Sequence, residues 1–174
     1  MKRTRKAGLF NGSKKQESHH RYIGIDPGQS GAIAVIDDHL NIHTLKDWSN
    51  DILIAEAMRK INRETISKGL IINAALEYAH AMPKQGVSSM FKFGTNYGIW
   101  IGMLAILQIS FTVVTPQKWQ KGVIKKAETK EPAIVAAQRL FPSAELYGPK
   151  GGKKDGRADA LLIAYWCKRN FSNE

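Results

Sequence analysis

Three short apolar runs joined by very short connections constrain this chain most. Residues 22–26, 32–37 and 41–46 each have strand length and composition. Pro27-Gly28 stops the first run. Gln29-Ser30-Gly31 and residues 38–40 leave room only for tight turns, so the three runs are expected to pair as an antiparallel meander. Along the first run Tyr22, Gly24 and Asp26 share one face while Ile23 and Ile25 share the other.

Helical and strand-like segments then alternate. Ser49 or Asn50 can cap a helix running to about Ser67, with Ile52, Ala55, Ile61 and Ile66 available for its apolar side. Gly69 ends it, and residues 70–77 read as a fourth, buried strand. After a loop over 79–87, Ser88 or Ser89 opens a long helix to about Leu107, with Phe93, Tyr97, Trp100, Leu104 and Leu107 at helical spacing. Gly94, Gly98 and Gly102 form a second ridge. Each glycine weakens a helix, so the ridge suggests close approach of another helix, in the same chain or across a dimer. Residues 111–115 read as a fifth strand, 116–122 as a turn or short helix, 130–141 as a helix, 142–154 as a Gly- and Lys-rich loop, and 156–170 as a last helix. The order β-β-β-α-β-α-β-α-α indicates an α/β fold around a mixed five-stranded sheet, three antiparallel strands followed by two parallel ones. The uncharged stretch 93–116 is interrupted by Asn96, Gln108, Ser110 and Thr112, and reads as buried helix plus strand, not a membrane span.

Composition narrows the partner. The chain has 174 residues, with 26 Lys and Arg against 15 Asp and Glu, a formal net charge of +11. Such an excess points to a polyanion, nucleic acid first and an acidic membrane surface second. Six of the basic residues fall in residues 1–20 with one acid, which reads as a disordered basic arm ahead of one domain over 21–174. The arm could hold nucleic acid, direct the chain to an organelle, or be a neutral extension. Cys167 is the single cysteine, which excludes an internal disulfide and a cysteine-based zinc site and favours an intracellular setting. No secretory signal is visible, because no apolar stretch follows the basic start.

The carboxylates are the most informative polar residues. Asp26 closes the first strand and Glu77 the fourth, among residues expected to be buried, where an unpaired charge is costly. Asp155 and Asp159 stand four residues apart near the start of the last helix and can face the same way. Four such oxygen donors could converge on Mg²⁺ or Mn²⁺, and two ions could serve phosphodiester hydrolysis. Each acid also has a plainer role: Asp26 in a turn, Glu77 paired with Lys84 or Arg157, Asp155 as a helix cap. Residues 148–154 fail as a nucleotide phosphate loop, lacking the glycine spacing, the Ser or Thr after lysine, and a preceding strand. The glycine turn over 26–31 also suggests a sugar-kinase phosphate loop, but that fold needs two such lobes and this chain has room for one.

Three segments together resemble a family. Asp26-Pro27-Gly28 after the first strand, Leu76-Glu77-Tyr78 ending the fourth, and Asp155-Gly156-Arg157-Ala158-Asp159-Ala160-Leu161 opening the last helix look like the RuvC Holliday-junction resolvases, which are RNase H-like nucleases. The likeness covers residues 21–166. Asn96-Tyr97-Gly98-Ile99-Trp100-Ile101-Gly102 and Lys153-Lys154-Asp155-Gly156-Arg157 look most like the phage-type and plant-organelle branches. The resemblance implies a homodimer that nicks four-way DNA junctions symmetrically, with Asp26 bridging two Mg²⁺ and Glu77 and Asp159 completing the shell. It implies no nucleotide cofactor and no membrane partner. It implies a place in the cytoplasm or nucleoid of a bacterium or phage-infected host, or in an organelle if residues 1–20 are a targeting segment. RuvC proteins often carry an acid or His three residues before the last Asp; here that position is Gly156, and Asp155 lies one residue earlier. For DNA contact the candidates are Lys84, Ser88, Ser89 and Lys92 around the start of the long helix, then Lys118, Lys121, Lys153, Lys154 and Arg157. Phe91 reads first as a core residue and second as a ring that could stack on a base.

Overall fold

The computed structural model describes residues 19–78, 86–125 and 131–171. The chain runs β1 (His20–Asp26), β2 (Ala32–Asp37), β3 (Ile42–Asp47), α1 (Asp51–Ser67), β4 (Ile71–Glu77), α2 (Val87–Ile106), β5 (Ser110–Val114), α3 (Pro116–Gln120), α4 (Ala133–Leu140) and α5 (Asp155–Phe171). The sheet order is β3-β2-β1-β4-β5. β1 pairs antiparallel with β2 and β2 with β3, whereas β4 lies parallel to both β1 and β5, so the expected mixed sheet forms.

Local chemistry explains the turns and caps. The turn after β1 closes through the Gly31 N–H on the Gly28 carbonyl (2.9 Å). Between β2 and β3, Oδ1 of buried Asp37 accepts from the backbone N–H of His39 and of Asn41, both at 2.9 Å. Asn50 caps α1, its side chain accepting from the Leu53 N–H at 2.9 Å. Thr115 caps α3, with Pro116 in its first turn, where a missing N–H costs nothing.

Alternation along the strands sends two apolar clusters to opposite faces. Tyr22, Ala34, Ile36 and Ala75 join Trp119, Phe141 and the apolar residues of α5 on one side. Ile23, Ile25, Ile33, Val35, Ala74 and Leu76 meet Ile54, Met58 and Ile61 of α1 and Trp100 and Leu104 of α2 on the other. β1 and α5 pack backbone to backbone. A Cβ at Gly24 would collide with the Ala160 carbonyl and the Ala164 N–H.

Several boundaries and faces differ from expectation. β1 starts at His20 because the His19 carbonyl already accepts from the Ile71 N–H (2.8 Å), so the fold reaches two residues into the segment read as an arm. Residues 1–18 lie outside the described residues. In α1 the buried positions are Ile54, Met58, Ile61 and Thr65, while Ile52 and Ile66 are exposed, as the 4-3-4 spacing from Ile54 requires. α2 begins at Val87 behind Gly86, so Ser88 and Ser89 lie inside its first turn and do not cap it. An added Cβ at Gly94, Gly98 or Gly102 meets nothing within 4 Å, so no other helix described here packs on the glycine ridge. Among the described residues no helix is long and apolar enough to cross a membrane.

Candidate active site

Parallel register sets the first two site residues side by side. Gly24 pairs with Ala75 and Ile25 with Leu76, so Asp26 and Glu77 follow as the next residues of adjacent strands, on the face covered by α5. Neighbouring strands stand about 4.8 Å apart. Asp26 Oδ1 accepts from the Gly28 N–H at 2.8 Å, and Glu77 Oε1 accepts from the Trp119 Nε1–H at 2.7 Å. Burial pushes the Asp26 carboxyl above its usual range, against the pull of the Gly28 N–H. Burial does the same to Glu77; the Trp119 bond opposes it and the charge of Asp26 adds to it.

The start of α5 comes over this strand end. A Cβ at Gly156 would collide with the Ser30 carbonyl in the turn after Asp26, and one turn later Ala160 rests on Gly24. Half-buried Asp159 lies between those two contacts. The collision at Gly156 also gives the physical reason why no acid or His stands there. Asp155 is exposed in the first turn of α5, where a negative charge suits the helix dipole.

Asp26 and Glu77 offer a divalent cation oxygen donors only. Among the described residues no three His, Cys, Asp or Glu side chains stand close enough to form a ready-made metal cage. Mg²⁺ does not require one: it is commonly held by one or two carboxylates, waters and substrate phosphates. Two adjacent, half-buried carboxylates that repel each other and offer only oxygen donors fit that description.

The candidate DNA residues divide into two groups. Ser88, Ser89, Phe91 and Lys92 are exposed on the first turns of α2. Phe91 is 76% exposed, which overturns its reading as a core residue. Lys121 and Lys153 are exposed, and so is Lys118, whose ammonium lies 5.5 Å from the Trp166 ring. Lys84 falls outside the described residues. Lys154 and Arg157 are engaged within the chain instead. Asp47, at the end of β3, accepts from Lys154 Nζ (2.9 Å) and from Arg157 Nε (2.6 Å) and Nη2 (3.2 Å). Arg157 therefore pairs with Asp47, not Glu77, and the network fastens the start of α5 to the sheet edge. Burial works against the Asp47 charge, but Arg157 and Lys154 outweigh it and hold the carboxyl below its usual range.

Sequence reasoning missed Asp47 and Trp119. Trp119 stands between the candidate phosphate contacts Lys118 and Lys121, yet it is 1% exposed and bonded to Glu77. The one local signal was a large apolar ring set among polar residues on a short helix.

No protein-family model and no curated protein matches the sequence. Solved structures do match. T. thermophilus RuvC in complex with Holliday junction substrate aligns with a TM-score of 0.55 at 13% identity, covering 89% of this chain and 96% of that one. A second Thermus thermophilus RuvC structure aligns with a TM-score of 0.55 at 13% identity, over 88% and 95% of the two chains. The yeast mitochondrial Holliday junction resolvase aligns with a TM-score of 0.44 at 14% identity, over 90% and 82%. The fold is that of RuvC, an RNase H-like sheet flanked by helices.

Proposed function

We propose that this chain is a metal-dependent endodeoxyribonuclease that resolves four-way DNA junctions by paired, symmetric phosphodiester hydrolysis. The observation that carries this reading is the Asp26–Glu77 pair, two repelling carboxylates at the ends of adjacent parallel strands, on the RuvC fold. Asp26, Glu77 and Asp159 would hold Mg²⁺ or Mn²⁺, with Asp155 one helical turn outside them. A divalent ion bound there supplies Lewis-acid charge and a water of lowered pKa for attack on phosphorus. The chain's own part is to hold and orient. The Gly28 N–H fixes one oxygen of Asp26 and the Trp119 N–H fixes one oxygen of Glu77, while Asp159 would join them from the first turns of α5, which packs on β1 at Gly24. Exposed Lys92, Lys118, Lys121 and Lys153 would meet backbone phosphates, and Phe91 would stack on an unpaired base near the branch point.

A homodimer completes the reading, since two nicks in one junction need two sites. The surface for it is the open ridge of Gly94, Gly98 and Gly102, flanked on the same helix by Val87 and Ile106, each more than 80% exposed. Three helix glycines cost about 0.8–1 kcal/mol each relative to alanine. Nothing described in this chain uses the space they leave, and a second copy would.

Labelled four-way junctions, forks, flaps and plain duplex, each with Mg²⁺ or with chelator, test the activity. Paired symmetric nicks confined to the junction are expected. Cleavage of flaps or forks alone would make this a different branched-DNA nuclease, and binding with no metal-dependent product would sink the enzyme. Asp26→Asn should reduce cutting to the level seen in chelator while junction binding persists. Light scattering should give twice the chain mass, and Gly98→Leu should shift it towards the monomer.

A further inference from the structure

We infer that Trp119 is a positioning residue for the candidate metal centre: its indole N–H holds one oxygen of Glu77 and leaves the other to a divalent cation. The inference rests on the proposed function, in which Glu77 is a ligand.

The placement follows from the chain path. Val114, the last residue of β5, is the register partner of Glu77, and its carbonyl accepts from the Tyr78 N–H at 2.8 Å. The chain then enters α3 at Pro116, behind the Thr115 cap, and one helical turn brings Trp119 back to the carboxylate 42 residues earlier. The indole is fixed from several sides. It is 1% exposed and belongs to the same apolar cluster as Ala75, Phe141 and the residues of α5. Arg169 of α5 donates from Nη1 to the Gly122 carbonyl just beyond α3 (2.8 Å). Lys118, beside Trp119, sets its ammonium over Trp166 of α5. The donor aimed at Glu77 therefore belongs to a braced platform, not a loose side chain.

An indole N–H can only donate, so it fixes one carboxylate oxygen and competes for nothing else. A glutamate at a strand end otherwise samples many rotamers, most of them away from Asp26. Groups that orient a metal ligand from behind typically change metal affinity or activity 10–100-fold when removed. A purely structural role is the opposing account, in which Glu77 merely satisfies a buried indole. That account predicts a loss of stability and no change in metal affinity.

The test compares Trp119→Phe, which keeps an aromatic ring and removes the donor, with Glu77→Gln and the wild-type chain. Mn²⁺ binding without DNA is followed by the electron paramagnetic resonance of free Mn²⁺. Junction binding in chelator, melting temperature and the Mg²⁺ concentration for half-maximal nicking are measured alongside. Trp119→Phe should weaken Mn²⁺ binding about tenfold and raise the half-maximal Mg²⁺ by a similar factor, with junction binding in chelator unchanged. A folded Trp119→Phe protein with wild-type Mn²⁺ affinity overturns the inference, provided Glu77→Gln weakens binding. If Glu77→Gln also binds Mn²⁺ like the wild type, Glu77 is no ligand and the functional reading fails with it. Should Trp119→Phe not fold, benzothienylalanine at position 119, with sulfur replacing the N–H in the same ring shape, gives the same comparison with the same two outcomes.

Discussion

Burial favours the neutral form of Asp26 and of Glu77, and the charge of Asp26 makes ionised Glu77 costlier still. Both folded pKa values are raised, so just above the ordinary carboxylate range the metal-free fold binds more protons than the unfolded chain. Its stability then falls as pH rises through that window. Asp26→Asn removes one charge and keeps an oxygen for the Gly28 N–H. In chelator at pH 7 it should raise the melting temperature, by about 2–4 °C for each kcal/mol relieved. Mg²⁺ should stabilise the wild type by mass action and the variant much less. A thermal scan with and without Mg²⁺ checks both; a variant that melts lower in chelator would mean that Asp26 is a structural turn residue. Asp26 was legible in the sequence because period-two alternation assigns its face and the glycine turn marks the strand end. Trp119 and Asp47 were not, because their partners lie 42 residues away for Trp119 and 107 and 110 residues away for Asp47, and no local pattern encodes such pairings.

Glycines separate the elements that must touch within the chain from the one left open. At Gly24 and Gly156 a Cβ would strike backbone of a neighbouring element, and backbone does not yield as a side-chain tip does. At Gly98 there is no obstacle. Gly24→Ala should therefore cost at least the about 1–3 kcal/mol typical of overpacking, and it should also disturb the site by lifting α5 from β1. Gly98→Ala should be neutral in a monomer, or gain up to about 1 kcal/mol of helix propensity. Urea melts of both variants at low protein concentration decide the matter. Comparable losses at the two positions would place a hidden contact on α2. Element order, sheet pairing and the α1 cap were all readable, since short connections and alternating apolar residues leave few topologies. Which face of a helix turns inward was less so. Apolar residues at 52, 53 and 54 span much of the α1 circumference, and only Ile54 is in phase with Met58, Ile61 and Thr65. Phe91 misled for a similar reason: α2 buries only Trp100 and Leu104, which leaves its first turns on the surface.

Over the whole molecule the net charge of +11 is distributed in a way that assigns work to particular lysines. Asp47 takes up Lys154 and Arg157, and Glu131 pairs with Arg139, so part of the basic charge is spent inside the fold. Lys92, Lys121 and Lys153 are exposed with no acidic partner in a salt bridge among the described residues, leaving them available to phosphates. Each phosphate contact releases condensed counterions, and the logarithm of duplex affinity falls with the logarithm of salt by about 0.9 per contact. Junction affinity, measured in chelator so that cleavage does not intrude, should fall steeply with salt. Lys121→Gln or Lys153→Gln should each reduce that slope by roughly one and leave the melting temperature unchanged. Lys154→Gln should do the reverse, lowering the melting temperature by loosening α5 from Asp47 while leaving the slope intact. If Lys154→Gln flattens the salt dependence as much as Lys121→Gln does, the Asp47 network opens when DNA binds. The start of α5, and Asp159 with it, would then be set by the substrate and not by the fold alone.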